Sequence, residues 1–175
     1  MRGKQKIWIS LLVVFTFLLV GSSALAASSN LMERDSYILS GNSSKIIGAK
    51  RADKEYYAKS VATITLLTSN VVPSGVVDSW DVSVNQDKTV MAWLKKNGTD
   101  MYDLYIGGNG KIVAPQDSYN LFGWYQNCTS IEGLNNLDTS NVTSMEYMFF
   151  ACDCLTSIDV SNFDTRKEIG RASCR

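Results

Sequence analysis

Hydrophobic and polar positions follow three different rules along this chain. From Ile7 to Val20 the residues are apolar except for Ser10 and Thr16, with Arg2, Lys4 and Lys6 before them and small, polar residues after. From Val61 to Val113 the apolar residues come in short runs broken by Pro, Gly and Asn. That is the texture of strands and turns. From Leu121 onward the pattern repeats itself.

The first stretch predicts a cleavable secretory signal peptide over residues 1–26, because a basic start, an apolar middle and a small-residue exit occur in that order. Ala24-Leu25-Ala26 supplies the small-x-small exit and places the cut before Ala27. The rival, an uncleaved anchor, is disfavoured because the apolar run of 14 residues falls short of the roughly 20 that span a bilayer. The membrane then matters only through the signal peptide during export, and the expected destination is secretion or the cell surface. Residues 27–60 mix Ser, Asn, Lys and Gly without a sustained period and read as a flexible leader, with a weak helical signal at Asp53–Ala62.

In the second stretch, residues 61–118, the pattern predicts a small β cap. Val61 to Leu67 is a strand, and Trp80-Asp81-Val82-Ser83-Val84 alternates so that Trp80, Val82 and Val84 would share a face. Thr89 to Leu94 and Met101 to Ile106 are paired strands around an Asn97-Gly98 turn. Gly107-Gly108-Asn109-Gly110 is a second turn, leading to Ile112 and Val113.

The third stretch, residues 119–165, matches itself at an offset of 27. Leu121-Phe122 falls on Met148-Phe149, and Thr129-Ser130-Ile131-Glu132 falls on Thr156-Ser157-Ile158-Asp159. One extra residue at Gly133 then brings Leu134, Asn136, Leu137 and Asp138-Thr139 onto Val160, Asn162, Phe163 and Asp164-Thr165. The unit is about 26 residues, in the range of stacked repeats. Asp138-Thr139-Ser140-Asn141 are helix-start residues, and Val142, Met145 and Phe149 recur at three and four, which predicts a short helix. Thr156 to Val160 alternates and predicts a strand with Ile158 and Val160 inward.

These phrases, Asp138-Thr139-Ser140-Asn141-Val142-Thr143-Ser144-Met145, Tyr147-Met148-Phe149 and Leu155 to Thr165, resemble the BspA-type leucine-rich-repeat surface proteins of bacteria. Trp80-Asp81-Val82-Ser83, Val90 to Leu94 and Tyr102 to Gly108 are similar to the segment before the first repeat in that family. The resemblance covers roughly residues 60 to 165. It implies an α+β repeat fold, a small β cap followed by a truncated, right-handed leucine-rich-repeat-like solenoid with a strand and a short helix per unit. It also implies a binding surface facing host cells, matrix or other microbes. After Asp164-Thr165 the family phrase would continue Ser-Asn-Val-Thr, whereas this chain reads Arg166-Lys167-Glu168. Residues 166–175 are therefore expected to be a non-native tail, and Glu168 to Arg175 is the octapeptide that a common sequencing adapter would encode.

Charge and chemistry narrow the function further. Loss of residues 1–26 removes three of 17 Lys+Arg and none of 17 Asp+Glu, leaving 14 against 17 and an acidic balance that disfavours nucleic acid. Histidine is absent, which removes serine-histidine and cysteine-histidine catalysis and most zinc sites. No cofactor or metal is expected, since neither a Cys-x-x-Cys pair nor the Asp-x-Asn-x-Asp spacing of a calcium loop occurs. Cys128 and Cys154 fall near equivalent repeat positions and form a candidate disulfide. Burial as small residues is the alternative, because with Cys152 one thiol is left over. Trp124 and Tyr125 in the inter-repeat turn, with Thr156, Ser157 and Asp159 on the repeat strand, are the candidate ligand-facing residues. The sequence thus favours a non-enzymatic recognition protein for an extracellular protein or glycan. Its rivals are a secreted wall-active or glycan-cleaving enzyme and a structural stalk for a further domain. Amino-terminal sequencing of the secreted product is expected to begin at Ala27, and a start at Met1 would sink the cleavage site.

Overall fold

A computed structural model describes residues 58–168. The predicted signal peptide with Ala24, Ala26 and Ala27, nearly all of the leader and residues 169–175 of the tail lie outside the described residues. Among the described residues no helix is long and apolar enough to cross a membrane.

The chain builds a mixed five-stranded sheet. Its strands are β1 (Val61–Leu67), β2 (Asp78–Asp81), β3 (Val90–Lys96), β4 (Tyr102–Gly108) and β6 (Ser130–Glu132), in the order β2-β3-β4-β1-β6. Short strands β5 (Ile112–Val113) and β7 (Leu137–Asp138) pair parallel to each other. β2, β3 and β4 are joined antiparallel, and β1 runs parallel to both β4 and β6. β1 is the hub because its β-branched run is flanked on both edges. Ile64 sits opposite Leu104 on one side and Ile131 on the other, and Leu66 sits opposite Ile106. All five of these side chains are buried, and each fully buried Ile or Leu contributes about 1.5–3 kcal/mol. On the opposite face Trp93 stacks on Tyr105 at 5.7 Å.

Two details of the cap differ from the sequence pattern. The alternation through Val84 breaks after Asp81, whose carboxylate accepts from the Ser83 N–H and hydroxyl and from the Lys88 N–H. These bonds gather Ser83–Lys88 into a loop, so Val82 is buried and Val84 is exposed. Gly107 and Gly108 belong to β4 rather than to the following turn, because they pair with Met91 and Val90.

The expected α+β solenoid with a helix in each unit is not what forms. The described residues contain no α-helix, only two 3-10 turns, at Ala58–Ser60 and Leu134–Asn136, beside the mixed sheet. Val142, Met145 and Met148 are buried as a stripe. Their backbone, however, is a succession of tight turns, with Met148 N–H bonded to Met145 C=O and Phe150 N–H to Tyr147 C=O. Positive φ at Tyr147 and Ala151, as at Asn120 and Trp124 in the preceding unit, breaks any helix. The carbonyls a helix would use internally are committed elsewhere. Ser144, Glu146, Met148 and Phe150 accept from the N–H groups of Ser118, Asn120, Phe122 and Trp124 in the unit before.

The predicted strand at Thr156–Val160 is not paired either. Ile158 packs at the core margin, and Val160 is exposed. This third pass is held chiefly by side chains. Asn162 Nδ2 donates to the carbonyls of Leu134 and Leu137, and the Asp164 N–H donates to Thr139 Oγ1. Asn136, one unit earlier, donates in the same way to Leu66 C=O.

Gly133, the extra residue in the repeat alignment, sits at φ 73°, where a Cβ would lie 2.1 Å from Leu66 O. The insertion thus lets the chain turn close against β1. Gly133→Ala is expected to cost about 2–3 kcal/mol of stability from left-handed strain and the clash. Gly98→Ala, at a site with open space around it, is expected to change little. Denaturant midpoints of the two variants check this, and equal midpoints would refute it.

Candidate functional site

Parallel stacking of the turn segments fixes the geometry of the surface they present. Because Asn120 and Trp124 bond to Glu146 and Phe150, aromatic residues of successive units come side by side along one edge. Tyr119, Tyr147, Phe150 and Trp124 form a continuous chain of rings. Tyr119 meets Tyr147 at 5.5 Å and 73°, Tyr147 meets Phe150 at 5.4 Å and 84°, and Phe150 meets Trp124 at 5.1 Å and 77°. Each edge-to-face contact contributes about 0.5–1.5 kcal/mol beyond its buried area. Tyr119 and Trp124 nevertheless remain 41% and 37% exposed. With Asn120 the four rings line an open cavity of about 310 Å³.

Asn120 is the polar member of this group. Its φ of 58° is left-handed, a conformation Asn tolerates better than most residues. The residue is 4% exposed, and its Oδ1 is buried with no hydrogen-bond partner. An acceptor left unpaired in this way costs about 1–3 kcal/mol.

The residues singled out from sequence separate into distinct environments. Trp124 lines the cavity and is partly exposed. Tyr125 does not: it is fully buried among the largest core side chains, and desolvation pushes its phenol pKa well above the ordinary value. Adjacent residues at the end of a tight turn point to opposite sides, so one of the pair had to go inward. Thr156, Ser157 and Asp159 are exposed, on the unpaired third pass rather than on a strand face. Thr156 and Ser157 border a second depression of about 410 Å³ with Phe149, Cys152 and Ile158. Asp159 caps its own turn, and hydrogen bonds from Ser161 hold its carboxyl below the usual range.

Three contributors to the ring-lined cavity, Tyr119, Asn120 and Phe150, are absent from the sequence reading. Tyr147 enters that reading only as part of a repeat phrase. Their signal was available in the offset of 27, which places Asn120 on Tyr147 and Gly123 on Phe150. Nothing in that alignment says which of them face outward.

Among the described residues no disulfide joins Cys128 and Cys154. Cys128 is buried with its thiol donating to Ser130 C=O, whereas Cys154 is exposed and its N–H bonds to Gln126 C=O. Burial pushes the Cys128 thiol up to about 12. Among the described residues no group of three or more His, Cys, Asp or Glu is placed to hold a metal ion.

Mass-mapped alkylation of the native protein at pH 8 is expected to label Cys154 first and Cys128 only on unfolding, because the reactive species is the thiolate. Equal labelling rates would contradict the buried placement of Cys128. No family model, curated protein or solved structure matches the chain, so the reading of this site rests on the geometry of these residues.

Proposed function

We propose that this chain is an exported, secreted or surface-held recognition protein that binds an extracellular protein or glycan, and that it is not an enzyme. The observation that carries the reading is the ring-lined cavity of Tyr119, Tyr147, Phe150 and Trp124. It leaves large apolar rings accessible at an edge built by two successive repeat units. Exposed aromatic surface beside a polar group is the usual composition of a recognition site. The amino-terminal pattern supports export, with processing before Ala27, and the Asp138-to-Met145 phrase supports kinship with BspA-type surface proteins. The acidic balance of the processed chain disfavours nucleic acid as a partner.

A glycan-cleaving enzyme would place a pair of carboxyl groups about 5–10 Å apart across its substrate groove. The cavity is lined by four rings and an amide, which favours binding over cleavage. A stalk role would need no accessible aromatic edge at all, so Tyr119 and Trp124 favour recognition over that reading as well.

Screening the secreted chain against a glycan array and immobilised matrix proteins is expected to give at least one ligand whose binding Trp124→Ala weakens about tenfold or more. A Val84→Ala variant, altered at an exposed residue of the cap loop, is expected to bind as the parent does. A folded chain that captures nothing, or binding that Trp124→Ala leaves intact, would overturn this assignment.

A further inference from the structure

The cavity between the repeat units has a floor as well as walls. Asn120 Oδ1 lies where a Cβ on Gly123 would be, 1.7 Å from that position, so the missing side chain of Gly123 makes the space that the amide occupies. The amide is thus seated by a glycine on its own turn, with its Oδ1 buried and unpartnered beside the ring-lined cavity. At about 310 Å³ the cavity falls at the small end of ligand pockets, with room for one ring-sized group rather than an extended chain.

Resting on the recognition reading above, we infer that this cavity is a slot for a single neutral pyranose residue of a glycan. The sugar stacks its C–H face on the exposed ring of Trp124 and donates one hydroxyl to Asn120 Oδ1, which is closed to solvent in the free chain and turns off Gly123 to meet it. Three properties of the site select this ligand. Accessible aromatic rings suit the apolar face of a sugar. The buried acceptor requires a donor, which a hydroxyl provides. No Lys, Arg, Asp or Glu lines the cavity, so an acidic sugar would lose hydration without gaining a counter-charge. A quaternary ammonium group would be attracted by the rings, but it carries no proton for Asn120 and would leave the acceptor unsatisfied.

NMR titration of the full chain with methyl glucoside, methyl galactoside, methyl mannoside and N-acetylglucosamine tests the assignment, with glucuronate and tetramethylammonium chloride as charged probes. At least one neutral sugar is expected to bind saturably in about the millimolar range. Trp124→Ala and Asn120→Gly are each expected to weaken it tenfold or more. Asn120→Gly removes the amide while keeping a residue that accepts the left-handed backbone, so an unchanged spectrum elsewhere shows that the fold persists. Gly123→Ala, which evicts the amide without removing it, is expected to weaken binding in the same way.

Saturation by tetramethylammonium or glucuronate in preference to every neutral sugar overturns the proposal, as does binding by Asn120→Gly equal to that of the parent. Array or matrix binding that depends on Trp124, with no response to any neutral sugar, would sink the pyranose slot and leave the recognition reading standing. Failure of every ligand would remove both.

Discussion

The structure depends on how the backbone of the turn-rich segments finds its hydrogen-bond partners. Ser118, Asn120, Phe122 and Trp124 each donate an N–H to a carbonyl of the next unit, at Ser144, Glu146, Met148 and Phe150. Buried backbone groups must be paired somewhere, and here the partners lie across the stack rather than along the chain. This ladder continues the parallel pairing of β5 with β7, and it ends where the Cys154 N–H meets Gln126 C=O. Once that pairing exists, the apolar side chains of the turns are delivered inward together. Phe122 and Phe149 stack at 5.7 Å, and Val142, Met145 and Met148 close the same core.

The sheet supplies the surface against which the first unit docks. β1 holds β6 through the register of Ile64 with Ile131, and Thr129 N–H bonds to Ala62 C=O just before it. The junction is reinforced by Asn136 reaching Leu66 C=O and by the close approach at Gly133. Asn162 repeats the Asn136 device one unit later, with the carbonyls of Leu134 and Leu137 as acceptors. A side-chain amide can serve each level this way because it carries two donors and needs no strand of its own. The third pass uses this bond where no backbone ladder forms, and Thr156–Val160 is unpaired.

The candidate site follows from the same stacking. Perpendicular ring pairs run from Tyr119 to Trp124 because the two units are aligned level by level. Asn120 Oδ1 becomes buried and unpartnered because the left-handed turn folds the amide over Gly123. Tyr125, one residue beyond Trp124, is turned into the core, and its phenol is held protonated by burial.

The sequence by itself determined the position of β1, the β3–β4 hairpin around Asn97, the repeat offset and the need for an extra residue at Gly133. Each of these is local or is a comparison of the chain with itself: β-branched runs, an Asn-Gly turn and matching phrases carry their own evidence. It also marked Trp124 as accessible. Only the tertiary structure decided that Asn141–Phe150 forms turns instead of a helix, that Thr156–Val160 is left unpaired and that Cys128 is buried free. A stripe at Val142, Met145 and Met148 is compatible with a helix or with stacked turns, since both return a side chain to the same face every three residues. What separates them is whether the carbonyl of residue i bonds to residue i+4 or to the neighbouring unit. That choice is settled by which carbonyls lie within reach once the units stack, and no local stretch of sequence records it.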